Sequence, residues 1–258
     1  MKKVLKILLF IPLLYLIIIP VYIARSTSAN PCGGIEINIT DSSDYHFVTK
    51  KQLLNLVYGK TERIVGKPLG DISVDEIEER INLIKEIKKA EVYITIDGVL
   101  HVYVDQRNPI MRVIPDNGGD FFIDDEGIVM RRRNLYTPRL HVVGGNVNIS
   151  SAMLNGVSVL DTSIKRSILK DIYRIVSYVN ENTFWSAQID QIYVDNSDEI
   201  DLIPRVGNQL IHLGTAENFE GKLRNLEAFY DKVLPEVGWN KYSSINLEYK
   251  DQIVCKKR

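Results

Sequence analysis

The sequence contains 258 residues, of which 45% are hydrophobic and 25% are charged. This composition is that of a globular protein with room for two small domains, and it excludes a chain that is disordered throughout. The formal net charge is only −1, which argues against a protein that binds nucleic acid through a basic surface.

The first predicted element is a hydrophobic segment at the N-terminus, Val4–Ala24, which contains no carboxylate. As a helix, these 21 residues would extend over roughly 31 Å, close to the ~30 Å hydrocarbon core of a bilayer. A cleaved signal peptide is the alternative interpretation, but its hydrophobic region is usually only about 7–15 residues long. The length therefore favours a single transmembrane helix over residues 4–24.

The charges around this segment predict its orientation. Three lysines lie before it or in its first turn, whereas only Arg25 closely follows it. The positive-inside rule then predicts a cytoplasmic tail at residues 1–3, a tether at residues 25–34 and an exported remainder. Since four of the 32 basic residues lie at or before Arg25, this remainder carries 28 basic and 33 acidic residues, a mildly acidic balance.

Residues 35–107 show the order strand, helix, helix, strand, strand. The first strand alternates hydrophobic and polar residues, which is typical of a half-buried strand. Each helix begins with the spacing of a capping box, at Thr49 and Gln52 and again at Ser73 and Glu76. Two helices can cover one face of a three-stranded sheet, so this order predicts a compact two-layer domain.

The last two strands of this domain form a predicted hairpin that ends at a domain boundary. Hydrophobic and polar residues alternate on both sides of Asp97-Gly98, and an Asp-Gly turn between such runs is a strong hairpin signal because glycine accepts a positive φ. Pro109 then removes a donor from any continuing ladder and restricts the residue before it. We therefore place the boundary between residues 107 and 108.

The pattern of residues 108–258 predicts a mixed β-sheet domain with two packed helices, so that the chain is of the α+β class. Hydrophobic residues recur at helical spacing from Ile164 to Val179 and from Phe219 to Val233. Short strands are predicted at residues 111–114, 121–123, 128–131, 140–143, 188–194, 200–204, 209–213 and 244–249. The last of these is the predicted terminal strand.

The sequence contains no recognisable catalytic set. Ser167-Ile168-Leu169-Lys170 matches the S-x-x-K motif of penicillin-binding enzymes, but the S-D-N and K-T-G motifs of those enzymes are missing. Ser167 and Lys170 fall on the polar side of a predicted helix, and we interpret them as solvated positions. The four histidines share no metal-binding spacing. The sequence thus predicts a protein that acts by binding, with no catalytic residues, metal or cofactor.

Three other groups of residues have structural interpretations. Asp124–Asp125 precedes Gly127, and we interpret this pair as part of a turn. Arg131–Arg133 is interpreted as a solvated strand end, with contact to lipid headgroups or to a carboxylate-bearing partner as alternatives. Cys32 and Cys255 either form a disulfide in an oxidising compartment or remain two unpaired thiols.

The order of these elements and several motifs resemble one family of bacterial proteins. The strand–helix–helix–strand–strand module resembles a POTRA domain. The run Val104–Ile110, followed by Phe122–Gly127, is similar to the junction of the FtsQ/DivIB cell-division proteins, which place a proline after the hairpin and an aromatic-x-D-x-x-G turn soon afterwards. Ile200–Gly214, Leu223–Leu234 and Ile245–Tyr249 resemble the last strands, last helix and terminal strand of that family.

This resemblance implies a non-enzymatic divisome scaffold at the division septum. Members of the family bind FtsB and FtsL and help control septal peptidoglycan synthesis by FtsW and its transpeptidase. The resemblance also implies a single-pass protein of the bacterial inner membrane. Its N-terminus would then lie in the cytoplasm and most of the chain in the periplasm or another extracytoplasmic space.

The resemblance also implies a binding site at the end of the chain. In the family, a strand of FtsB adds to the exposed edge of the terminal strand, where main-chain groups supply affinity and alternate side chains supply selectivity. We expect an edge strand from about Ser243 to Val254, although Glu248 stands where relatives can have a basic residue and no tryptophan follows the strand. The predicted partner-binding residues are Ser244, Ile245, Asn246, Leu247, Glu248, Tyr249, Asp251 and Ile253.

Two other functions are open alternatives. A periplasmic POTRA-containing component of protein export or of outer-membrane assembly would have the same first module. Such proteins usually carry several POTRA units, and this sequence predicts one. A cell-wall enzyme would need catalytic residues that the sequence does not supply.

Overall fold

The computed structural model describes residues 15–16, 28–40, 47–59, 63–132, 138–164, 167–250 and 252–258. The chain forms two compact units, of which one ends at Gln106 and the next begins at Arg107. The predicted cytoplasmic tail and nearly all of the predicted helix at residues 4–24 lie outside the described residues. Within the described ranges, no helix combines the length and the hydrophobicity that a membrane span requires.

The first unit is a three-stranded sheet with two helices. Its elements are strand β1 (Gly34–Thr40), helix α1 (Lys50–Tyr58), a short 3-10 turn (Leu69–Asp71), helix α2 (Val74–Asn82) and strands β2 (Ile87–Ile94) and β3 (Val99–Gln106). The central strand β3 pairs in parallel with β1 and antiparallel with β2. The predicted order of strands and helices is confirmed.

Local interactions explain where several of these elements begin. The Thr49 N–H donates to Gln52 Oε1 over 2.9 Å, and the Gln52 N–H donates to Thr49 Oγ1 over 3.3 Å, so the predicted capping box of α1 is present. Helix α2 begins after Ser73 as predicted, although the Ser73 side chain makes no capping hydrogen bond. Gly98 has a φ of 83° in the hairpin loop, which glycine adopts without strain.

The second unit is built on one large mixed sheet. Its strands are β4 (Pro109–Pro115), β5 (Phe121–Asp124), β6 (Val129–Arg131), β7 (His141–Gly145), β8 (Ile189–Val194), β9 (Ile200–Pro204), β10 (Leu210–Gly214), β11 (Tyr242–Asn246) and β12 (Val254–Lys257). Its helices are α3 (Ser151–Leu154), α4 (Ile168–Glu181), α5 (Thr183–Gln188), α6 (Phe219–Lys232) and α7 (Leu234–Val237). The predicted mixed sheet with two long helices is confirmed.

The nine strands follow the order β12-β11-β10-β9-β8-β7-β4-β5-β6 across the sheet. Strand β7 pairs in parallel with β4 and β8, and β10 pairs in parallel with β11. Helices α4 and α6 bury hydrophobic stripes in the core of this unit, where Trp185 is fully buried. The buried stripe residues are Leu169, Ile172, Ile175, Val176 and Val179 of α4 and Phe219, Leu223, Leu226 and Tyr230 of α6. This order leaves β12 and β6 at the two ends of the sheet.

The arginines of the β6 end are engaged within the unit. The Arg131 guanidinium lies 5.7 Å from the ring centroid of a phenylalanine on β5. Arg132 Nη1 donates to Asp120 Oδ2 over 2.9 Å, and Arg112 donates to both oxygens of the same carboxylate. The pKa of Asp120 is lowered, chiefly by the hydrogen bonds from Arg112. The prediction of a solvated strand end is therefore wrong for Arg132, and Arg133 lies outside the described residues.

A buried carboxylate fixes the turn after β5. Asp124 Oδ1 accepts from the N–H groups of Glu126 and Ile128 over 3.0 and 2.6 Å, and Arg107 Nη1 donates to Asp124 Oδ2 over 2.7 Å. The Asp124 side chain is fully buried. Burial raises the pKa of Asp124, and the hydrogen bonds from Arg107 and Ile128 oppose this rise. The turn predicted before Gly127 thus also binds Arg107, the first residue of the second unit, through Asp124.

We expect Asp124→Ala to destabilise the second unit by about 1–3 kcal/mol, because two N–H groups of the turn lose their acceptor, whereas Arg107 keeps its ion pair with Glu126 over 2.9 Å. Both tryptophans, Trp185 and Trp239, belong to this unit, so tryptophan fluorescence during urea unfolding reports on it alone. The matched control is Asp125→Ala, at an exposed neighbouring position, for which we expect a change within about 0.5 kcal/mol. Equal effects of the two substitutions would contradict the assigned role of Asp124.

Candidate partner-binding edge

The strand predicted at Ser244–Tyr249 ends at Asn246, and it lies inside the sheet instead of at its edge. Its first part belongs to β11, in which Ile245 lies opposite Ile211 of β10 on one side and opposite Cys255 of β12 on the other. Both main-chain sides of β11 are therefore occupied. The prediction of one exposed edge strand from about Ser243 to Val254 is therefore wrong.

The chain leaves β11 at Asn246 because this side chain stabilises a turn. Asn246 Oδ1 accepts from the Glu248 N–H over 2.8 Å, and Asn246 Nδ2 donates to Glu248 Oε2 over 2.6 Å. Asparagine commonly replaces ladder hydrogen bonds by local ones in this way. The chain then reverses before β12. Asp251, one of the predicted binding residues, falls in this loop and lies outside the described residues.

Strand β12 forms the end of the sheet that is next to β11. In the described part of the chain β12 pairs only with β11, so the main-chain groups on its other side have no strand partner. Val254 is 47% exposed, whereas Cys255 packs partly against the core. The apolar run Ile253–Cys255 behind a polar loop is a sequence signal for this second strand, which our prediction of one long strand overlooked.

A groove lies beside the loop that joins β11 to β12, with a volume of about 420 Å³. The loop and the segment around the start of α6 line it together. Four of the predicted binding residues meet here, and Tyr249 among them is 56% exposed. The lining includes Leu247, Glu248, Tyr249, Ile253, Asn218 and Lys222.

The groove is lined by one positive and one negative side chain, Lys222 and Glu248, and both are held by hydrogen bonds. Lys222 Nζ donates to the carbonyl oxygens of Leu213 and Thr215 over 2.8 and 2.9 Å. Burial lowers the pKa of Lys222, and the charge of Glu248 opposes this shift. Gly214 has a φ of 69°, and a Cβ there would lie 2.6 Å from Glu248 Cγ, so glycine allows the loop to approach β10. The groove thus offers a polar wall next to an exposed tyrosine.

Other residues that the sequence singled out make structural contacts. The Ser167 hydroxyl accepts from the Leu169 N–H over 3.2 Å at the start of α4, and Lys170 Nζ lies 3.4 Å from a carbonyl oxygen of the preceding loop. Cys32 and Cys255 are free thiols, which decides between the two alternatives for these residues. Over the described ranges, no group of three or more His, Cys, Asp or Glu residues could hold a metal ion.

Two family models match the chain. The model described as FtsQ/DivIB, C-terminal related, matches residues 108–256, which is more than half of the sequence. The chain belongs to this family. A model of the POTRA-like domain matches residues 30–105, so the resemblance inferred from the sequence is confirmed for both units. No curated protein matches the sequence.

Membership of the FtsQ/DivIB-related family gives the edge and the groove a functional context. The matched range, residues 108–256, contains the groove and nearly all of β12. The family is known as one of non-enzymatic scaffolds, and the two matched domains indicate a role in cell division.

We expect Asn246→Ala to loosen the β11–β12 loop, because it removes the hydrogen bonds to Glu248. The free energy of unfolding should fall by about 1 kcal/mol, and trypsin should cleave faster after Lys250 in the loop. Urea unfolding and mass spectrometry of the tryptic fragments measure the two effects. Asp231→Ala, on an exposed position of α6 away from the groove, is the control and should leave cleavage at Lys250 unchanged. An unaltered cleavage rate for Asn246→Ala would contradict this account of the loop.

Proposed function

We propose that the chain is a non-enzymatic divisome scaffold in which the free side of β12 binds a strand of a partner protein. The observation that carries this proposal is the position of β12 at the end of the sheet, paired with β11 on one side only in the described residues. Such an edge presents N–H and C=O groups that another extended chain can satisfy. The family match supports the role in cell division.

The side chains of β12 favour a strand of another protein over a second copy of the chain. Lys256 and Lys257 are exposed, and the described residues hold no carboxylate within ion-pair distance of either. If two copies paired through β12, lysines of both copies would crowd the same short ladder. Like charges in cross-strand pairs are destabilising, and edge lysines are a common protection against self-association. A different strand without lysines at these positions avoids this repulsion.

The groove extends the binding surface beyond the edge. Tyr249 and Ile253 connect the groove to the start of β12, so residues that flank a bound partner strand would reach it. Tyrosine is enriched among the residues that dominate binding energy at protein interfaces. In this proposal the main-chain pairing supplies most of the affinity, and the groove selects the residues beside the partner strand.

The partners in this proposal are FtsB- and FtsL-type divisome proteins, through which the chain would help control septal peptidoglycan synthesis. The hydrophobic segment at residues 4–24 would anchor it in the bacterial inner membrane at the septum, with both units outside the cytoplasm. The alternative, a POTRA-containing component of protein export or outer-membrane assembly, has the match at residues 30–105 in its favour. The longer match at residues 108–256 favours the divisome scaffold.

A proline scan of Val254–Lys257 tests the proposal. Neighbouring residues of a strand direct their N–H groups to opposite sides. A proline therefore removes a donor that faces β11 at every second position and a donor on the free side at the positions between. At the free-side positions we expect co-purification of a co-expressed FtsB-type protein to fall roughly tenfold, while the urea midpoint stays unchanged. At the positions that face β11, binding and stability should both fall.

Tyr249→Lys tests the groove, and Tyr193→Lys is its matched control. Both tyrosines are exposed, but Tyr193 lies on β8, away from the edge strand in the sheet order. Only Tyr249→Lys should weaken co-purification. Retained binding in all four proline variants would rule out main-chain pairing on β12.

A further inference from the structure

The first unit has an exposed sheet face whose side chains form a regular grid. Cross-strand register places Glu36, His101 and Tyr93 in one row and Asn38, Tyr103 and Glu91 in the next. The alternate residues of these strands, including Ile37, Val92 and Val102, are buried. We call the exposed side the tyrosine face, defined by Glu36, Asn38, Glu91, Tyr93, His101 and Tyr103.

Three aromatic rings gather on the tyrosine face. The Tyr93 ring centroid lies 5.3 Å from that of His101 and 5.8 Å from that of Tyr103, with interplanar angles of 16° and 7°. The two tyrosines remain 42% and 39% exposed. The rings therefore form a nearly parallel cluster that is open to solvent on a rigid sheet.

The charges on this face are mainly negative. Glu36 Oε2 lies 3.4 Å from His101 Nδ1, and Glu91 forms an ion pair with Lys89. The pKa of Tyr93 is raised, chiefly by its hydrogen bond with Tyr103, and the charges of Glu36 and Glu91 add to this rise. The carboxylates thus act on the aromatic cluster itself. Since aromatic faces are also negative, the surface favours a positively charged group.

Two outward donors on the β2 edge of the same sheet are occupied. The Ala90 N–H donates to Asn82 Oδ1 over 2.9 Å, and the Val92 N–H donates to Glu78 Oε2 over 3.0 Å. These two donors of β2 point away from β3 and are satisfied by side chains of α2. A partner strand could pair with β2 only after displacing both side chains. The tyrosine face, by contrast, is accessible without any rearrangement.

We propose that the tyrosine face binds an extended segment of a partner protein that carries arginine side chains. A guanidinium stacks on tyrosine rings and pairs with carboxylates at the same time, which a lysine ammonium does less well. Glu36 and Glu91 flank the rings, and an arginine at Glu91 would replace the exposed Lys89 as its ion-pair partner. This surface belongs to the first unit and is independent of the β12 edge, so either proposal can fail without the other.

The test measures binding of a fluorescein-labelled peptide of alternating arginine and threonine to the full chain in non-ionic detergent. The chain should bind it at least roughly tenfold more tightly than the same peptide with glutamate in place of arginine, and added salt should weaken the binding. The double substitution Tyr93→Thr with Tyr103→Thr should raise the Kd of the arginine peptide roughly tenfold. The control Tyr193→Thr, an exposed tyrosine on β8, should leave it unchanged.

Two further double variants test the carboxylates of the tyrosine face and the β2 edge separately. Glu36→Gln with Glu91→Gln should weaken binding and flatten its salt dependence, and this pair decides the test if the tyrosine variant does not fold. Glu78→Ala with Asn82→Ala opens the β2 edge and should leave the affinity unchanged. Equal binding of the glutamate peptide, or binding that appears only when the edge is open, would overturn the proposal. A dimer of the full chain that the threonine variant abolishes would assign the face to a second copy and overturn it as well.

Discussion

An open β-sheet leaves main-chain donors and acceptors unpaired along its two end strands, and each row has to be satisfied or protected. In the second unit these ends are β6 and β12. Strand β6 is short, and the arginines at its end are held by an aromatic ring and by Asp120. Strand β12 keeps one side without a strand partner in the described residues, and the proposed scaffold function depends on that side.

The two units manage their sheet edges by different means. In the first unit, Asn82 and Glu78 of α2 accept from two outward donors of β2, one of the two end strands of its sheet. In the second unit, the exposed lysines of β12 discourage pairing between copies without occupying its main-chain groups. The first unit is thus suited to recognition by side chains on its open face, and the second to recognition by main-chain pairing. Taken together, the two proposals describe a scaffold that would bind two partners by unrelated chemistry.

Sequence alone predicted the features that depend on residues close together in the chain. The capping box of Thr49 and Gln52 is one example, because both partners lie within one helical turn. The end of β11 escaped prediction because Leu247 and Tyr249 continue its alternation, while the local bonds of Asn246 break it. Which strand lies at an edge depends on pairing between distant segments. The ring cluster of Tyr93, His101 and Tyr103 likewise depends on strand register, which the alternation of hydrophobic and polar residues does not give.

The most direct test of the edge account is amide hydrogen exchange along Val254–Lys257 in the full chain, with and without a co-purified FtsB-type partner. Amides that face β11 are already hydrogen-bonded, so their exchange should change little. Amides on the free side should exchange rapidly in the isolated chain and become protected in the complex, in alternation along the strand. Protection of the free-side amides before any partner is present, or no change when the partner binds, would contradict the account.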